Sequence, residues 1–402
     1  MTITRSFCGL VLSAILTLFV MLASGAAPAS PTAAPTPFGA PSPISGPSAP
    51  TVSPTVASAT SPASTTAPAK SAGNLTGEIK IGALETLTGD NSSYGISIKN
   101  ALDLGTSEIN QSKFLGNATI NLTVLDDKGD KQEGISVMNR LISQDKVVGV
   151  MGPTLSNTAN GITDMGNFIF RDSLPEAGVI PGTIDAVKAK LNPKKAAIIY
   201  EVTNEFTKSA YDVFKSSLTK DGIQITDTET YNHGDSDFRT QLTKLKATNP
   251  DIVVVSALIG EAIPILQQAR EVGITQPIVG GNGFNNPNIY KQGGQAAEGV
   301  ILGSAWFIGS KNPKSQAFVA AYQKKYNTDP DQFFAQAFDG MYLMATAIKN
   351  AGSADPKAIR DALANIRNYD GVLGNFSFDA HRDPVNQPAV LQVKGGKFEL
   401  LQ

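Results

Sequence analysis

The chain has 402 residues, a formal net charge of −2 and a single cysteine, Cys8. That balance leaves no basic footprint for nucleic acid, and the chain beyond Cys8 has no disulfide or thiol chemistry. Only two histidines are present, His233 and His381, which argues against a multi-histidine metal site or a Ser-His-Asp relay.

Charge is unevenly spread. Between Arg5 and Lys70 there is no Asp, Glu, Lys or Arg. Residues 1–27 read as a secretory signal peptide: Arg5, an apolar run from Phe7 to Ala23, then Ser24-Gly25-Ala26 as a cleavage site. The run is about 17 residues long, near the lower limit for a membrane span, so an uncleaved N-terminal anchor stays as a second reading. Residues 28–74 are rich in Pro, Ala, Ser and Thr. They lack the apolar side chains that offset chain entropy, which predicts a disordered linker. At about 3 Å per residue it would reach on the order of 100 Å, enough for a tether.

From Gly77 on, strand and helix patterns alternate. Ile79–Leu84 is a buried strand, and Tyr94–Asn110 a helix with Ile98, Ala101, Leu102 and Ile109 on helical spacing. Ile120–Leu125 alternates as a strand, Lys131–Gln144 is a helix and Val147–Met151 a strand. Helices are predicted over Pro181–Leu191, Phe206–Leu218, Phe238–Ala247 and Glu261–Glu271. Strands are predicted over Ala196–Tyr200, Ile223–Tyr231, Ile252–Ala257, Pro277–Val279 and Val300–Phe307. Three helices follow, Ser315–Tyr326, Phe333–Ala351 and Pro356–Ile366, and then short strands at Phe376–Phe378, Ala389–Val393 and Phe398–Leu401. Such alternation predicts an α/β fold with parallel sheets flanked by helices, whose ligands sit beyond the carboxyl ends of the strands.

Those ends carry hydroxyls, amides and glycines. The first is Glu85-Thr86-Leu87-Thr88-Gly89-Asp90-Asn91-Ser92-Ser93-Tyr94; the third is Gly152-Pro153-Thr154-Leu155-Ser156-Asn157-Thr158. Such groups suit an anion such as a carboxylate, or act only as helix caps. Gly280-Gly281-Asn282-Gly283 lacks the lysine and the spacing of a nucleotide loop. Asp126, Asp127 and Asp130 lack the glycine and closing glutamate of a calcium loop, and read as solvated loop carboxylates. His233 and His381 read as surface residues. No metal and no cofactor is expected.

These loops, in this order, resemble the type I periplasmic binding proteins of the leucine/isoleucine/valine class. The markers are IKIGALETLTGDNSSYG, LTVLDDKGD, VVGVMGPTLS, GITDMGNFIFR, DIVVVSALIGEAIPILQQAREVG, GGNGFNNP and QAFDGMYLMATAI. The resemblance covers 75–402. It implies two α/β lobes joined by three crossovers, about 75–180 with 308–383 and about 181–307 with 384–402, closing like a hinge on a small ligand. It implies a secreted, extracytoplasmic, monomeric protein that is not an enzyme. The expected partners are an amino acid-like ligand and the permease subunits of an ABC transporter; a ligand-sensing extracellular domain is the alternative.

By the same resemblance, Tyr94 is the aromatic that covers the ligand. Ser156 holds its carboxylate, and Thr158 matches a second carboxylate-binding segment. Phe206 is an aromatic from the other lobe. Asn282 stands where amino-acid binders of this class place an acidic partner for the ligand ammonium. The sequence departs from the family twice. Asn282 is uncharged, with Asp339 and Glu261 as candidate substitutes. The GPTLS and SNTA motifs, which the family separates by a helix and a strand, are fused here as Gly-Pro-Thr-Leu-Ser-Asn-Thr-Ala. Only the 16 residues 152–167 lie between Met151 and Phe168. A full extra helix and strand would need about 25 residues more. The expectation is an internal deletion that leaves the first lobe one helix and one strand short, with a gap or altered order in its sheet and weak or absent binding.

Overall fold

The computed structural model describes residues 75–401; the expected signal peptide and the linker to residue 74 lie outside the described residues. The first strand, β1 (Thr76–Glu85), is continuously buried from Ile81 to Glu85, as a strand covered on both faces must be. Helix α1 (Ser92–Gln111) buries Ala101, Leu102, Leu104 and Ile109. Strand β2 (Asn117–Asp126) then pairs with β1 in parallel, from Thr76 opposite Asn117 to Glu85 opposite Asp126.

Helix α2 (Lys131–Arg140) starts where the Asp130 carboxylate accepts the N–H groups of Gln132 and Glu133, an ordinary N-cap. The regular helix stops short of the predicted Gln144. Leu141–Asp145 widen into one looser turn, ended by Lys146 in the left-handed region at φ 59°.

Strand β3 (Gly149–Met151) is the last of this sheet, whose order is β2-β1-β3. Among the described residues no strand pairs with the outer edge of β3. The chain instead makes helix α3 (Ser156–Ile162) and a tight turn, Thr163–Phe168. Phe168-Ile169-Phe170 is not a strand, and Phe168 and Ile169 are exposed. The described residues of this sheet thus comprise three strands.

The second lobe begins with α4 (Glu176–Leu191), which starts five residues before the predicted Pro181; the expected lobe boundary at 180/181 falls inside this helix. There follow β4 (Lys195–Glu201), α5 (Glu205–Lys220), β5 (Gln224–Tyr231), α6 (Arg239–Ala247), β6 (Ile252–Ser256), α7 (Ile259–Glu271), β7 (Ile278–Gly280), α8 (Asn288–Gly293) and β8 (Ile301–Ser304). Every residue of β6, β7 and β8 is buried. Ile180, Ile184 and Val187 of α4 pack with Ile198, Phe214 and Val254. Each such side chain contributes about 1.5–3 kcal/mol when fully buried.

The chain then returns to the first lobe. It forms α9 (Pro313–Tyr326), α10 (Gln332–Ala351) and α11 (Pro356–Ala364), with Asn312, Asp331 and Asp355 as side-chain N-caps. Helix α10 packs along α1 and buries Phe334, Met341 and Ile348 in the core shared with Ile79, Ile81 and Leu102. A small antiparallel sheet follows, with β9 (Tyr369–Gly371), β10 (Gly374–Phe378) and β11 (Pro384–Val385) in the order β11-β10-β9. Finally β12 (Ala389–Lys394) and β13 (Lys397–Leu400) cross back and pair antiparallel at the edge of the second sheet, whose order is β13-β12-β8-β7-β6-β4-β5.

Candidate functional site

The carboxyl ends of β1, β2 and β3 are tied together by side chains. Asp126 accepts the N–H groups of Leu87 (2.9 Å) and Lys128 (2.8 Å) and the Thr88 hydroxyl (2.7 Å). Asp127 accepts the Thr86 hydroxyl (2.7 Å) and the Gly129 N–H (2.8 Å). Asp127 is fully buried, which corrects the expectation that it is a solvated carboxylate; burial raises its carboxyl above the usual range. Thr154 accepts the Thr86 N–H (3.0 Å) and donates to Glu85 Oε2 (2.6 Å). This hydroxyl fastens one loop to another rather than capping a helix.

The ends of β1 and β2 face the ends of β4 and β5 across a cavity of about 740 Å³. The first lobe lines it with Asp90, Asn91, Lys128, Asp130, Lys131 and Asn157 among others, the second with Thr203, Asn204, Glu205 and His233; none of the five expected ligand residues is among the lining. Both signs of charge are present, with hydroxyls and amides between them. The lobes touch beside it: Asn157 Oδ1 accepts the Glu205 N–H (3.2 Å), and Asn91 Oδ1 accepts the Gly260 N–H (3.3 Å).

Three of the five expected ligand residues meet around Gly283. Tyr94 leaves the first lobe, donates its hydroxyl to the Gly283 carbonyl and accepts the Ile259 N–H (2.8 Å). It is buried among second-lobe residues, together with Leu155. Phe206 lies against the α-carbon of Gly283, 3.3 Å from where a β-carbon would stand. Asn282 donates its backbone N–H to Glu176 Oε1 (2.8 Å), and its side-chain carbonyl accepts from the Gln332 amide.

The other two expected residues lie apart, on α3. Ser156 is half-buried between Leu155 and Asn157, both of which line the cavity. Thr158 points into its own lobe. It is fully buried, its methyl lies against Gly134 of α2, and its hydroxyl has no hydrogen-bond partner.

The sequence pattern of the periplasmic binding protein family matches residues 78–168 and 172–397. The chain belongs to this family. The unmatched residues 169–171 fall just after the shortened segment that follows β3. The Leu/Ile/Val-binding protein BraC3 of Rhizobium johnstonii is 25% identical over 77% of this chain and 90% of its own length. The leucine-, isoleucine-, valine-, threonine- and alanine-binding protein of Pseudomonas aeruginosa is 26% identical over 77% of this chain and 87% of its own. Among solved structures, the branched-chain amino acid transporter substrate-binding protein LivJ of Streptococcus pneumoniae, in complex with isoleucine, is 30% identical. It covers 80% of this chain and 98% of its own, with a TM-score of 0.75.

The chain is a type I periplasmic binding protein of the branched-chain amino acid class, a family of solute-binding proteins that works outside the cytoplasm. No helix among the described residues is long and apolar enough to cross a membrane. The two substitutes considered for the acidic partner at Asn282 are placed differently in this binding protein. Asp339 accepts the Val372 (2.9 Å) and Leu373 (2.8 Å) N–H groups inside the first lobe, away from the cavity. Glu261 is buried at the start of α7, with Glu201 and His233 beside it. A third acid, Glu176, is the one that contacts residue 282. Burial pushes its carboxyl up to about 7, against the pull of the Asn282 N–H. Sequence reading passed over Glu176 because it lies more than a hundred residues from its partner, as the first residue of a helix placed too late.

Proposed function

We propose that this chain is an extracytoplasmic solute-binding protein of an ABC importer. It closes on a branched-chain or related amino acid and presents the closed form to a membrane permease. The observation that carries the reading is the cavity between the two sets of strand ends, whose walls mix both signs of charge: Lys128 and Lys131 with Asp90 and Asp130 on the first lobe, Glu205 with His233 on the second. Such walls suit a zwitterion, with its carboxylate toward Lys128 and Lys131 and its ammonium toward Glu205. Relatives that bind leucine, isoleucine and valine support the ligand class.

In this reading Tyr94, Phe206 and Asn282, which meet around Gly283 behind the cavity lining, would reach the ligand only on rearrangement, and Asn282 would offer an amide where an ion pair would otherwise form. An amide carbonyl accepts a hydrogen bond from an ammonium but supplies no net charge. With Thr158 turned inward and Asn282 uncharged, affinity for leucine is weaker than a full ammonium–carboxylate pair would give. The direct test is mass spectrometry of the small molecule carried through purification, followed by calorimetric titration with leucine, isoleucine, valine and benzoate. A saturable heat with one of the amino acids supports the reading. No heat with any amino acid, alongside a co-purified molecule of another class, overturns it.

A further inference from the structure

At the second-lobe wall of the cavity, lined there by His233, three side chains converge. Glu201 ends β4, His233 sits in the β5–α6 loop, and Glu261 opens α7. His233 Nδ1 lies 3.1 Å from Glu261 Oε1 and 3.8 Å from Glu201 Oε1. One donor atom from each of the three falls within 4.8 Å of the other two. In a tetrahedral zinc site with bonds near 2.0–2.1 Å, neighbouring ligand atoms stand about 3.3 Å apart. The observed spacing needs only small side-chain adjustment to meet it.

The carboxylates do not behave as a solvated acidic patch. Their side chains are 1% and 4% exposed. The second oxygen of each, Oε2, is buried without any hydrogen-bond partner. Two buried carboxylates side by side, each with one oxygen unpartnered, are costly, and a divalent cation would offset both at once. The loop that carries His233 is held in place. Thr203 Oγ1 accepts the His233 backbone N–H (3.1 Å) and donates to Glu201 Oε1 (3.0 Å), so one hydroxyl sets both the loop and a carboxylate.

We infer that Glu201, His233 and Glu261 form a binding site for a divalent cation of the zinc class, at the cavity wall of the second lobe. One imidazole nitrogen and two carboxylate oxygens suit Zn²⁺ and leave a fourth position open. Ca²⁺ prefers six to eight oxygens and is disfavoured here. The inference is independent of the solute, since the three ligands all belong to one lobe.

The test is calorimetric titration of the chelator-stripped full chain, without any amino acid, using ZnCl₂ and, separately, CaCl₂. One Zn²⁺ per chain is expected, bound about tenfold or more tightly than Ca²⁺. His233→Ala changes an exposed side chain, so it should fold, which the thermal transition in chelator verifies. It should weaken Zn²⁺ binding about tenfold or more, while His381→Ala leaves it unchanged. The site is overturned if Zn²⁺ gives no saturable heat up to about 1 mM, if Ca²⁺ binds as tightly, or if His233→Ala binds Zn²⁺ as the parent does.

Discussion

The hydroxyl of Tyr94, on the first lobe, accepts the N–H of Ile259, the first residue of α7 in the second, at 2.8 Å. The same hydroxyl donates to the Gly283 carbonyl, so one oxygen satisfies a donor and an acceptor of the opposite lobe. Burial pushes the phenol's pKa well above its ordinary value, and the group stays a neutral donor. Tyr94 therefore acts as a latch between the two lobes.

Replacing Tyr94 by Phe keeps the ring against Phe333, 4.7 Å away between centroids, and removes only the latch. Ile259 N–H and Gly283 C=O then lose a buried partner, a cost of about 1–3 kcal/mol. A lowered thermal transition, with faster hydrogen exchange at Ile259, is the expected result; unchanged exchange there would show that the latch is not formed in solution.

Gly260 offers a second handle on closure. A β-carbon there would lie 2.9 Å from Asp90 Cβ of the first lobe. Within α7 itself, Ala favours the helix over Gly by about 1 kcal/mol. Gly260→Ala should thus leave the second lobe sound and hold the cleft more open, seen as a larger radius of gyration in small-angle X-ray scattering.

Ser156 is the expected carboxylate contact. A hydrogen bond to a charged group is worth about 1.5–3 kcal/mol. Ser156→Ala should weaken binding of the amino acid by roughly 10- to 150-fold, read by calorimetry, with the thermal transition of the free protein unchanged. An unaltered affinity would move the carboxylate elsewhere in the cavity, with Lys128 and Lys131 next to be tested.

Buried acids set the pH response. Glu176 is raised to about 7, and Asp172, Asp331 and Asp339 to about 6, in each case chiefly by burial. An acid whose folded pKa lies above its unfolded value binds more protons in the folded state. Its contribution is fully favourable below the unfolded pKa and is lost as pH rises to the folded one. Stability should therefore fall between pH 4 and pH 7. Glu176 alone accounts for about 3 kcal/mol of this loss. Thermal scans from pH 4.5 to 8 check the sign, and Glu176→Gln should flatten the upper part of the curve.

The sequence determined the order and kind of most elements because each carries its own pattern. The apolar run Ile252–Val255 becomes wholly buried β6, and Ala101, Leu102 and Ile109 become the buried stripe of α1. The fused Gly152–Ala159 segment also announced the short first sheet, since too few residues remained for another strand. What only the tertiary structure decided is which polar groups face each other. Tyr94 meets Ile259 across 165 positions, and Glu176 meets Asn282 across 106. His233 reads as a surface histidine locally, and its ring is indeed exposed, yet it lies on two buried carboxylates brought by β4 and α7. Thr158 shares a motif with Ser156 but turns inward, because the helix that follows β3 presses its methyl against Gly134. Periodicity is a property of neighbours in the chain, whereas burial and charge pairing depend on neighbours in space.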